Sequence, residues 1–269
     1  MKKAKIICFV FLSVILCVST LSAQTSLKGM SLNGSTGLYS IPSGRIGWER
    51  SSNFGLDFGY HSIVDNGIAS HIPAVSMSLF KWLELSAAFD TQSRNFVSPE
   101  DRGDFLTGAK IQLPLTNTAL ALGGNFQLLN LFDNRGRTYY AGQVYAAVTY
   151  AGHFFDSPAE TTVVVGKTFI ENSSNSNIDF GMGFDLVLLP KQFGNLVHWV
   201  TDFANFSYSV EAIGADARFR GVLNTGLRID LSVIPPFNRF KFVVDVFLTD
   251  AFDSNRAFSA GVVFGIPLL

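Results

Sequence analysis

Past its first 23 residues this chain has no cysteine, because Cys8 and Cys17 both precede that point. No disulfide framework can therefore hold the exported part together, and its stability must come from another source. Charge is also scarce: 15% of residues are charged, against ~25% in ordinary soluble domains. The chain is 48% hydrophobic, yet beyond Ala23 no stretch stays apolar for the ~18 residues of a membrane-crossing helix. A helical membrane protein is thereby excluded. Two homes remain for so apolar a chain: a soluble β-sandwich with a large core, or a barrel whose apolar side chains face lipid.

Catalytic signatures are missing too. There is no G-x-S-x-G elbow, no H-E-x-x-H, no phosphate-binding loop and no cysteine nucleophile in the exported part, so the expectation is a protein without enzymatic activity. His61, His71, His153 and His198 are scattered without ligand spacing, and neither a metal nor a cofactor is expected. His198, near Ser207 and Ser209, is the one histidine for which hydrolysis on the outer face of a barrel comes into question.

What is present begins with a leader. Lys2, Lys3 and Lys5 precede an apolar run from Ile6 to Val18 and then Leu21-Ser22-Ala23, the layout of a secretory signal peptide cleaved after Ala23. Leu16 before Cys17 is bulkier than lipoprotein processing accepts. Residues 1–23 are read as signal and 24–269 as a single domain. Three basic residues leave with the leader while all 21 acids remain, so the exported part is mildly acidic and no nucleic-acid partner is expected.

Period two dominates that part. From Phe54 the sequence FGLDFGYHS sets Phe54, Leu56, Phe58 and Tyr60 against Gly55, Asp57, Gly59 and His61. Phe180, Met182, Phe184 and Leu186 likewise oppose Asp179, Gly181, Gly183 and Asp185. The same rule covers Leu83 to Asp90, Leu120 to Leu128, Arg218 to Leu231 and Phe240 to Val246. Turn residues at Asp65-Asn66-Gly67, Ser98 to Gly103, Pro114 to Thr118, Asp133 to Gly136, Asp156-Ser157-Pro158 and Asn172 to Asn177 join the runs as hairpins, mostly through short polar connections. About 13 runs are strand-like, and single-chain bacterial barrels have even strand numbers. The fold expected is all-β, an antiparallel transmembrane up-and-down barrel of 12 or 14 strands.

Runs of roughly 9 to 14 residues suit tilted membrane strands, and Tyr60, Trp82, Tyr139, Tyr140, Tyr150, Trp199 and Tyr208 fall near predicted strand ends as an interfacial belt. Gly55, Gly59, Gly123, Gly181, Gly183 and Gly226 fall on the polar side, where a closing sheet has least room. The residues expected to line the lumen are Asp57, Glu84, Asp90, Lys110, Asp179, Asp185, Arg218, Arg220, Arg228, Asp230 and Asp245. They either line a narrow water path or pair and plug it. The expected outer loops are Gln92 to Gly103, Asp133 to Arg137 and Glu171 to Asn177.

The segments TGLYSIPSGRIGWE (Thr36 to Glu49), SLFKWLELSAAFD (Ser78 to Asp90) and NTGLRIDLSV (Asn224 to Val233) resemble parts of the YjbH-like outer-membrane proteins. The resemblance implies a role in export or surface handling of polysaccharide. Unlike a common barrel ending, the last alternation, Phe258, Val262, Phe264 and Ile266, runs into Pro267-Leu268-Leu269 without a terminal aromatic. The expected function is a passive narrow channel or structural envelope protein. Its partners would be outer-membrane lipid, the barrel-assembly machinery during biogenesis, and envelope polysaccharide. A barrel enzyme acting on lipid and a soluble periplasmic β-protein binding a small apolar ligand are the alternatives.

Overall fold

The computed structural model describes residues 28–49, 52–65, 67–94, 98–115, 117–129, 138–171, 178–205, 221–235, 237–253 and 256–268. Twelve strands follow the period-two runs: β1 (Phe54–Asp65), β2 (Ile68–Leu79), β3 (Leu83–Arg94), β4 (Ser98–Pro114), β5 (Thr118–Leu129), β6 (Tyr139–Phe154), β7 (Ser157–Ile170), β8 (Asp179–Val187), β9 (Val197–Ala204), β10 (Val222–Asp230), β11 (Lys241–Thr249) and β12 (Ala257–Pro267). Each pairs antiparallel with its sequence neighbours, and β1 pairs with β12, from Gly55↔Pro267 to Val64↔Phe258, closing the barrel. Closure leaves no edge to protect. Of the two even counts expected, twelve is correct.

Alternation fixes which face points where. Along β8, Asp179, Gly181, Gly183, Asp185 and Val187 are buried while Phe180 and Met182 are exposed. Along β12, Ala257, Ser259, Gly261, Val263 and Gly265 are buried against exposed Phe258, Val262 and Phe264. Charge is therefore inside and phenylalanine outside, the reverse of a soluble fold. No apolar layer is sandwiched between two sheets, so the β-sandwich alternative is overturned.

The two rims differ. The proximal rim, where β1 begins and β12 ends, carries the connections 80–82, 115–117, 155–156, 188–196 and 231–240. The 188–196 connection includes the one-turn helix α1 (Pro190–Phe193). These turns are not the polar punctuation expected: Phe80, Trp82, Leu115, Phe155, Phe193 and Phe237 are exposed on them, Phe155 at 90%. At the distal rim the stretch Gln92 to Gly103 is mostly strand, because β3 runs to Arg94 and β4 restarts at Ser98. Residues 95–97, between them, lie outside the described residues. The other expected outer loops, Asp133 to Arg137 and Glu171 to Asn177, lie outside the described residues apart from Glu171, as does Tyr208.

Candidate functional site

The lumen is filled by the chain itself. Residues 28–48, upstream of β1, form a strap that enters at the proximal rim, doubles back through isolated bridges Met30↔Thr36 and Gly37↔Pro42, and leaves by the same rim into β1. Met30, Leu32, Leu38, Tyr39, Ile41 and Ile46 are all fully buried in it. A short irregular segment enclosed in this way cannot satisfy its own backbone, so the inward side chains of the wall do so.

Three nodes hold the strap. At the first, the Thr36 amide donates to Glu84 Oε1 (2.8 Å), the Thr36 hydroxyl to Glu84 Oε2 (2.6 Å) and the Gly47 amide to Glu84 Oε2 (3.1 Å). Lys110 Nζ, 3.2 Å from Glu84, donates to the carbonyls of Thr36 (2.7 Å) and Ser43 (3.2 Å). At the second, Asp202 accepts from the amides of Tyr39 (2.8 Å) and Ser40 (2.7 Å), from the Ser40 hydroxyl (2.9 Å) and from Asn224 (2.8 Å). At the third, the Arg228 guanidinium grips Asp245 through Nε (2.9 Å) and Nη2 (3.0 Å) and also reaches the carbonyls of Gly37 and Leu38 (3.3 and 3.4 Å). Nearer the proximal rim, Trp48 Nε1 and Lys241 Nζ share Asp57 at 2.8 and 2.6 Å. Lys28 pairs with Asp230 at 2.9 Å, and Arg45 bridges Glu49 (2.8 Å) and Glu160 (3.1 Å). Charge-assisted bonds of this kind are the stronger ones, and each of these charged groups meets donors, acceptors or a counter-charge, as burial requires.

Glycines on the inner face make room for the strap. A Cβ at Gly59 would run into Met30 and at Gly55 into the Trp48 ring, while at Gly183 it would meet Leu38 as well as the Thr201 carbonyl. Gly59→Leu is expected to displace Met30 and cost about 1–3 kcal/mol by overpacking. Urea unfolding of the refolded barrel in micelles measures this, with Gly142→Ala as a control where an added Cβ meets nothing.

Nine of the residues expected in the lumen, Asp57, Glu84, Asp90, Lys110, Asp179, Asp185, Arg228, Asp230 and Asp245, are buried on inward faces. Arg218 and Arg220 lie outside the described residues. Asp57, Glu84, Lys110, Asp230, Asp245 and Arg228 belong to the strap network. Asp185 lies 3.5 Å from Arg228, while Asp179 takes bonds from Gln143 (2.8 Å) and Thr168 (2.5 Å) instead. Asp202, Gln112, Thr149, Glu160 and Lys241 were not anticipated as lumen residues. Inward parity on their strands would have found them. The strap had no such signal, since its apolar and small residues keep no period.

His198 is a correction. It does not lie on the outer face: it is buried inward, with Nδ1 2.5 Å from Asp185 and Nε2 2.9 Å from the Asn195 carbonyl. Facing inward, it has no role as an outer-face base. Ser207 and Ser209 lie outside the described residues.

No protein-family model matches the chain, and no curated protein matches it. Among solved structures it is similar to the KdgM porin in complex with disordered oligogalacturonate, at 8% identity over 79% of this chain and 99% of that one, with a TM-score of 0.47. LpxR from Salmonella typhimurium is similar at 10% identity, covering 80% and 100% of the two chains, with a TM-score of 0.47. For the outer membrane protein Omp33 of Acinetobacter baumannii the values are 10%, 81%, 98% and 0.41. Likenesses this distant say nothing of activity, and what this barrel does has to be read from its own residues.

Proposed function

We propose that this chain is an integral outer-membrane barrel, closed at rest by its own N-terminal strap, that serves the envelope as a structural protein with a latent narrow channel. One observation carries the reading: ion pairs and carboxylates point into the barrel while phenylalanine, leucine and valine stand exposed around its outside. Such an exterior would aggregate in water and is satisfied by hydrocarbon. The strap from Lys28 to Trp48 lies inside the barrel and is tied to the wall at the three nodes, which supports a resting state closed by the strap. With the longer connections at the distal rim, that rim would face outward and the strap would enter from the periplasm.

Partition into the outer-membrane fraction with heat-modifiable gel mobility is expected, whereas release by osmotic shock would sink the reading. Refolded protein in a planar bilayer is expected to show no conductance steps; a steady open pore would remove the closed state. Leu122, exposed in the middle of β5, gives a sharper test. Leu122→Arg is expected to destabilise the folded barrel in lipid vesicles by about 2–4 kcal/mol, where a water-facing site would tolerate it. A link to envelope polysaccharide, implied by the YjbH-like resemblance, belongs to this proposal and predicts altered surface polysaccharide in cells lacking the protein.

A further inference from the structure

On the outer wall, below the distal rim, three polar side chains from three strands form one chain. The Tyr60 hydroxyl on β1 lies 2.7 Å from His71 Nδ1 on β2, and His71 Nε2 lies 2.9 Å from Ser93 Oγ on β3. Register explains the meeting: Ser62 and Thr91 stand directly across from His71, so Tyr60 and Ser93 are its diagonal neighbours on the same face, within reach of a ring. Both ring nitrogens of one outward histidine are thus taken by side chains from its two flanking strands. Interfacial polar residues in general need no such arrangement.

Two further features adjoin it. Pro73, two residues along β2 from His71, has no N–H to give, and the β2–β3 ladder skips from His71↔Thr91 to Ala74↔Ala88. At this gap an apolar groove of about 290 Å³ is lined by Pro73, Val75, Ala87, Phe89 and Phe105. Beyond Thr91 the β3–β4 register shifts by a bulge next to Ser93, a device that re-aims side chains and recurs beside active sites. Ser93 is 8% exposed and Tyr60 41%, so the chain runs from a sheltered hydroxyl to a lipid-facing phenol.

We propose that Ser93, His71 and Tyr60 form a serine hydrolase site for glycerolipid acyl esters, with the acyl chain lying in the Pro73–Phe105 groove. In this reading Nδ1–H donates to the Tyr60 oxygen, which holds the tautomer that leaves Nε2 free to accept. Ser93 Oγ attacks the ester carbonyl as its proton passes to Nε2. The C–O bond to glycerol then breaks, and the imidazolium returns that proton to the departing alkoxide, releasing lysolipid. Water from the membrane surface attacks the acyl-serine, giving one proton to Nε2 and, through it, restoring the Ser93 hydroxyl as the fatty acid leaves. Ser93 and His71 are the catalytic residues, and Tyr60 is a positioning residue.

The site rests on the outward face meeting lipid, so folding and chemistry must be read separately. Heat-modifiable mobility in vesicles reports the barrel; fatty-acid release from phosphatidylethanolamine–phosphatidylglycerol vesicles reports the site. Folded wild type is expected to release fatty acid and to form a Ser93 adduct with hexadecanesulfonyl fluoride, detected by peptide mass. Ser93→Ala and His71→Asn are expected to lose release at least ~100-fold while remaining folded. Tyr60→Phe should lower kcat with KM unchanged, and Ala87→Phe should shift preference toward shorter acyl chains. A folded wild type that neither releases fatty acid nor takes the label overturns the proposal, as does release that survives Ser93→Ala.

Discussion

Removing residues 28–48 is expected to turn a silent barrel into a conducting, cation-selective one. The wall does not need the strap to exist: all twelve inter-strand ladders form between β1 and β12 without any strap residue. What the strap contributes is occupancy. Burying Met30, Leu32, Leu38, Tyr39, Ile41 and Ile46 stabilises its docked state by about 1.5–3 kcal/mol for each large apolar side chain, less the cost of ordering it. Without it, Glu84, Lys110, Asp202 and Arg228 would face water, where hydration replaces the strap's backbone as their partner. The described inward groups then include Asp57, Glu84, Asp90, Asp104, Glu160, Asp179, Asp185, Asp202 and Asp245 against Lys110, His198, Arg228 and Lys241. An acidic bore favours cations. Planar-bilayer recording should show steps absent from the full chain, with a reversal potential displaced toward cations in a salt gradient. A truncated barrel that folds and stays silent would mean that something other than the strap closes it, and anion preference would refute the charge argument.

Much of this architecture is legible in the sequence because a membrane barrel imposes the simplest of periods. Phe54 to His61 and Asp179 to Leu186 alternate without error, and their side chains point as parity dictates. Parity also places Asp57, Glu84, Lys110, Arg228 and Asp245 inside, though it does not say what they hold. Glu84, Lys110 and Arg228 meet amides and carbonyls of Thr36, Gly37, Leu38, Ser43 and Gly47, and a backbone partner has no signature in a one-letter code. The strap was the hardest part to read: TGLYSIPSGRIGWE has neither period, and its glycines and serines read equally well as a loop. The Tyr60–His71–Ser93 chain was missed for a different reason. Its members are 11 and 22 residues apart in sequence, and only the register between three strands makes them diagonal neighbours. The proximal turns misled because Phe80 and Phe155 occupy left-handed backbone at φ 54° and 51°, positions that composition assigns to glycine or asparagine.

Arg228→Met is expected to cost about 3–5 kcal/mol, the penalty for leaving a buried charge without its partner. Arg228 is among the largest fully buried side chains, with Asp245 gripped at two oxygens, Asp185 3.5 Å away and two strap carbonyls within reach. Asp185 keeps His198 when the guanidinium goes, so the loss falls chiefly on Asp245. Arg228→Lys should recover only part of it, because a point charge cannot span both carboxylate oxygens and the carbonyls of Gly37 and Leu38 together. The informative variant is Arg228→Met combined with Asp245→Leu. Two apolar side chains of similar volume leave no orphaned charge, and such replacements are often neutral, so the wall should regain most of its stability while the strap still lacks its third node. Urea unfolding in micelles would then separate the two roles from bilayer recording: stability restored, closure still weakened, with intermittent steps that neither the parent chain nor Asp245→Asn shows. If the double variant were as silent as the parent, Arg228 would serve only to neutralise Asp245, and the Glu84 and Asp202 nodes alone would hold the strap.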